Sequence, residues 1–159
     1  MTVIGRAGRR GERPADAVIP PVLGVIGLVA IVIGTFLPWL RSGTQDRNSY
    51  QAGGAVRRLL GTTGVVDHML GLWPLISVAC AAAIALFLFG LRTFGTIVAG
   101  LAALAAGAAS VGALATTATN VAEVTLIGPL VTLLGATLVA LAVLLRALSA
   151  VVLPRRMEE

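Results

Sequence analysis

His68 is the only histidine in the chain, and Asp67 stands beside it. Two ligands do not fill a tetrahedral metal shell, and the single cysteine, Cys80, lies far off in an apolar run. We therefore expect no metal and no cofactor. A Ser–His–Asp arrangement would have to draw His68 together with Asp46 or Asp67 inside a glycine-rich loop, which is a poor setting for held geometry. The glycines at 53–54 and 61–64 lack the lysine and the strand–helix context of a phosphate-binding loop. The residues left with a chemical use are Arg41, Arg47, Arg57 and Arg58, with Tyr50 among them. They would form a basic surface with an aromatic handle, suited to docking a partner protein or an anionic lipid headgroup. Arg146 joins them as a cation that either reaches headgroups or pairs with a partner's acidic group. These types and spacings point to binding, and we expect no catalytic residue.

The elements that must position these residues are four apolar stretches, Val18–Trp39, Leu72–Leu91, Phe94–Ala115 and Thr125–Leu145, none of which contains a charged residue. A bilayer crossing takes about 20 apolar residues. The expected fold is therefore all-α, an integral membrane four-helix bundle over 18–148. Tails of 1–17 and 149–159 flank it, and one long extracytoplasmic loop, 40–71, joins the first two helices. The first span follows a basic region but is too long for a signal-peptide core, so we expect a retained anchor. All twelve basic residues are arginine. Arg6, Arg9, Arg10, Arg13, Arg92, Arg146, Arg155 and Arg156 share one side of a four-span topology, against Arg41, Arg47, Arg57 and Arg58 on the other. The excess places both termini in the cytoplasm of a cell (inner) membrane, and it accounts for the positive charge without nucleic acid. Trp39 and Trp73 fall at the outer helix ends, where an interfacial aromatic belt is expected. Pro20 and Pro21 are expected to open the first helix. The tail before it, rich in Arg, Gly and Pro, is expected to be flexible. Within the long loop, Asn48 and Ser49 are N-cap candidates for a short helix ending at Gly61, lying on the membrane surface or against a partner.

Small residues recur on one face of three spans. Gly24, Gly27 and Gly34 mark the first, and Gly95, Ala99 and Ala106 mark the third. Gly128, Thr132 and Gly135 mark the last, with leucines opposite. In lipid, helices associate where small side chains let backbones approach, so these stripes are expected to meet. They would close the chain's own bundle or, for one stripe, dock a helix of another protein.

The first half of the chain, with LPWLRSG, then DRNSYQ and RRLLG, then GLWPL, resembles the small four-span membrane proteins of actinobacteria, mycobacteria included. Some of these look like accessory subunits of larger envelope assemblies, of which the Mce lipid importers are one. The resemblance implies a non-catalytic accessory subunit whose partners are membrane lipids and other integral membrane proteins. The competing expectation is an autonomous small-molecule or lipid carrier.

Overall fold

The computed structural model describes residues 14–42, 45–60, 64–117 and 125–155. Over these residues the chain is mostly helical. Helix α1 spans Pro14–Phe36, and the hairpin strands β1 and β2 span Pro38–Ser42 and Gln45–Asn48. Helices α2 (Ser49–Leu60) and α3 (Val65–Leu72) follow, then α4 (Leu75–Leu88), α5 (Arg92–Thr117) and α6 (Ile127–Arg155). Three helices, α1, α5 and α6, are long and apolar enough to cross a membrane. That supports a membrane location.

The fourth apolar stretch folds shorter than its composition suggests. Helix α4 has 14 residues, about 21 Å at 1.5 Å per residue. Pro74 has no N–H to give to Leu70, and the Leu70 carbonyl is met by Trp73 N–H at 3.4 Å instead. The backbone at Trp73 and Pro74 nevertheless stays in the right-handed helical region, so α3 and α4 follow one another as a broken helix. At the other end Gly90 has φ +81°, with Gly90 N–H on the Phe87 carbonyl and Leu91 N–H on that of Leu86. This is a Schellman stop, for which glycine is the natural residue.

Helix α1 begins six residues before Pro20, so Pro20 and Pro21 lie inside it rather than opening it. Pro14, whose missing N–H is costless in a first turn, starts it instead. The expected flexible tail falls outside the described residues as far as position 13, and from Pro14 the chain is already helical. Much of the C-terminal tail, through Arg155, is likewise helix.

The four long helices close in the order α1, α6, α5, α4 and back to α1. All nine small residues of the stripes are buried. A Cβ on Gly27 would lie 2.7 Å from the Gly135 carbonyl oxygen, and one on Gly135 would lie 2.6 Å from that of Gly27. Gly34 faces Thr132 as closely, and Gly95 faces Ala83 and Phe87 of α4. The stripes of α1 and α6 thus meet backbone to backbone. Leu28, Ile31, Cys80, Ala106 and Val139 fill the centre. Large apolar side chains face outward, including Leu101, Leu104 and Leu134 at 63, 71 and 60% exposure, as lipid-facing positions should.

Candidate functional site at the two ends of the bundle

The loop between α1 and α4 is a folded cap built on the end of α1. A helix terminus leaves its last carbonyls without helical partners, and near a membrane each needs another donor. Leu37 N–H reaches the Ile33 carbonyl at 3.2 Å, the Trp39 indole Nε1–H reaches Gly34 at 2.8 Å, and the Ser49 hydroxyl reaches Thr35 at 2.6 Å. Trp39 owes its inward aim to a β-bulge. The register advances two residues on β1, from Pro38 to Leu40, against one on β2. Bulges re-aim side chains in this way. The bulged Trp39 accepts Thr125 N–H on its carbonyl at 3.0 Å, and its ring lies against Gly128, tying α6 to the cap.

Tyr50 adds the second tie. Its hydroxyl lies 3.1 Å from the Thr35 hydroxyl and 2.5 Å from that of Ser77, joining α2 to α1 and α4. Trp73 donates to the Ser49 hydroxyl at 3.1 Å and meets Trp39 edge-on at 5.7 Å. Asn48 caps α2, accepting Gln51 N–H on its side-chain oxygen at 3.0 Å, while the Gln51 side-chain oxygen accepts Asn48 N–H at 3.4 Å. That reciprocal pair is a capping box.

The basic docking surface expected from the sequence is therefore altered. Tyr50 is not an outward handle; its hydroxyl has inner partners that hold it. Trp39 is buried in the cap, its ring between Gly34, Gly128 and Trp73. Arg57 is clasped by Asp67 through two contacts of 2.6 and 3.0 Å, and Arg41 faces Asp46 across the hairpin at 3.8 Å. The hydrogen bond from Arg57 lowers the Asp67 pKa from the usual aspartate range, and the same bond raises that of Arg57. Arg47, half-buried on β2, has no ion pair among the described residues. The Arg58 side chain lies outside the described ones. His68 is exposed, with Nδ1 3.2 Å from the Gly64 carbonyl, while the Asp67 carboxylate beside it goes to Arg57. Ser49 and Ser77 are taken up by the cap, so no Ser–His–Asp group assembles among the described residues.

At the opposite end lies a cleft of about 680 Å³. Its walls come from the first half of α1 and its midpoint (Pro20, Val22, Ile26), the end of α4 (Phe87), the start of α5 and the middle of α6 (Val143). Arg92 and Arg146 both line it. Among the described side chains no carboxylate lines it, and neither arginine has an ion pair. Arg92 was legible only as an inner charge; the one sequence signal was that it is the sole charged residue between the second and third apolar stretches. No known family model, characterised protein or solved structure matches the chain.

Proposed function

We propose that the chain is a four-span inner-membrane protein with both termini cytoplasmic, serving as a non-catalytic accessory subunit of a multi-protein envelope complex of the Mce lipid-importer class. The observation that carries this reading is the cap. Its hydroxyl and indole groups bind it to α1, α4 and α6, giving a pre-organised external surface, and pre-organisation lowers the cost of docking a partner. The buried hydroxyls of the bundle support the same reading. Thr132 and Ser110 each give their proton to a carbonyl one turn back, at 2.9 and 2.8 Å, so they serve their own helices rather than a solute path.

Four crossings are supported by where α4 ends. Its first turn meets the cap through Ser77, beside the end of α1, and its last turn lines the cleft beside the start of α1. Helix α4 thus runs between the same two levels as the helices long enough to span. The positive-inside excess then puts the cleft on the cytoplasmic side.

The test is purification in mild detergent through a C-terminal tag, followed by mass spectrometry of the accompanying chains. Stoichiometric recovery of other integral membrane proteins is expected. An Arg47→Glu variant, altered at a cap cation that has no ion pair among the described residues, should recover them several-fold less while remaining folded. Recovery of this chain alone would reject the accessory role and favour the second reading, an autonomous lipid carrier, for which the cleft is the supporting observation.

A further inference from the structure

We propose that the cleft at the inner ends of α1, α4, α5 and α6 is a binding site for one anionic phospholipid of the cytoplasmic leaflet. An acyl chain would lie along the apolar walls, and Arg92 and Arg146 would hold the phosphate. This rests on the chain's being membrane-embedded with that end inward, and does not depend on any protein partner.

Volume, access and charge argue for it together. A cleft of about 680 Å³ falls within the roughly 300–1,000 Å³ of sites that enclose small molecules. Val22 and Ile26 on its wall are 47 and 52% exposed, so the cleft borders the outward face of α1. Water is not the natural filler of such an apolar space. Arg92 and Arg146 both line the same cleft, and no carboxylate does among the described side chains. Guanidinium binds phosphate oxygens through fixed, paired donors, and basic pockets between membrane helices on the cytoplasmic side are a general setting for anionic headgroups.

The placement of Arg92 strengthens the case. It is the first residue of α5, where a cation opposes the positive end of its own helix dipole. Helix stability alone would favour an acidic residue there, whereas a bound phosphate would gain from the arginine and the helix end at once. Pro20 and Pro21 shape the opposite wall. They remove two donors from the first turns of α1 and put rigid rings where flexible side chains could otherwise fill the cleft. A helix of another protein would fit less well, because it would have to bring its own carboxylate to both arginines.

The test uses the full purified chain in vesicles of phosphatidylcholine with a minority of phosphatidylglycerol, extracted gently and weighed by native mass spectrometry. The wild type should retain one phosphatidylglycerol in preference to phosphatidylcholine. Arg92→Gln with Arg146→Gln should reduce that preference roughly tenfold to thirtyfold, while Arg92→Lys with Arg146→Lys, which keeps the charge but not the paired donors, should keep part of it. Val22→Trp, which fills part of the apolar wall and leaves both arginines in place, should lower retention of either lipid. Thermal midpoints equal to wild type show that the variants fold. If the glutamine pair does not fold, the lysine pair and Val22→Trp decide the matter alone. Equal retention of the two lipids by the wild type would overturn the proposal, as would a preference that survives the glutamine pair. Displacement of the lipid by inorganic phosphate, with no effect of Val22→Trp, would also overturn it by showing an anion site without a lipid. Recovery of partner proteins tests the accessory role separately, so either idea can fail without the other.

Discussion

At the scale of single residues, most of the specificity in this bundle rests on side chains that are absent. Gly27 and Gly135 face one another so closely that a methyl on either would enter the other's backbone, at 2.7 and 2.6 Å. Gly27→Ala should therefore push α1 from α6, costing about 1–3 kcal/mol as overpacking does, and lower the thermal midpoint in detergent. Gly100→Ala is the matched control, since a Cβ there meets nothing within 4 Å. It should leave the midpoint unchanged or raise it, because alanine is the better helix former. Equal losses from the two would mean that the α1–α6 approach is not what these glycines serve. Trp39 is the complementary case, a large side chain whose one polar atom matters. Trp39→Phe keeps most of the ring but leaves the Gly34 carbonyl without its indole donor. The expected loss is about 1 kcal/mol, read from the same melts. No loss with Trp39→Phe would mean that the indole donor to Gly34 does not stabilise the cap.

At the scale of elements, the two short helices of the cap, α2 and α3, are clasped by the Arg57–Asp67 ion pair, and that clasp has a direction in pH. Arg57 holds the Asp67 pKa below its usual range, so the carboxylate stays charged in the folded chain where an unfolded chain would protonate it. Its contribution is complete above the ordinary aspartate range and is lost as pH falls through the lowered value. Trp73, at the end of α3, can report this once Trp39 is replaced by Phe. Its fluorescence should change with a midpoint below about pH 4, and the change should vanish in Asp67→Asn. A transition that persists in Asp67→Asn would assign it to another acid, such as Asp46. The same elements show what a sequence can reveal here. Helix α2 was legible over 48–61 because Asn48 is a capping residue and the apolar residues after it follow helical spacing. The stripes of α1, α5 and α6 were legible because small residues recur at helical intervals in runs long enough to show it. The hairpin was not, since its strands are five and four residues long with no alternation to read. Helix α3 was hidden by its lack of a side-chain cap. The inward turn of Tyr50 and Trp39 was out of reach for a different reason. It depends on residues 35, 50 and 77 meeting in space, and on a one-residue bulge, neither of which leaves a periodic trace.

At the scale of the whole molecule, the open question of geometry is whether a 14-residue helix can take the place of a full span. By its own length α4 falls short of a hydrocarbon core of about 30 Å. It does not stand alone, because α3 leads into it through Pro74 and the cap covers that end with satisfied hydrogen bonds. Its C-terminal end has a glycine stop that closes its carbonyls locally, as a helix end at a membrane boundary requires. A short core segment between two self-satisfied ends can be matched by local thinning of the bilayer or by shelter from longer neighbours, at modest cost. Helices α1 and α5 provide that shelter on two sides. The arrangement makes a specific demand on sidedness. In a Cys80→Ala background, Gln45→Cys and Thr93→Cys put single exposed thiols at the hairpin and at the start of α5. An impermeant maleimide should label Gln45→Cys in intact cells and Thr93→Cys only after the membrane is opened. Labelling of Thr93→Cys from outside would mean that α4 turns back without crossing. The C-terminus would then lie on the outer face and the arginine-lined cleft in the outer leaflet, removing the basis for both the topology and the lipid site.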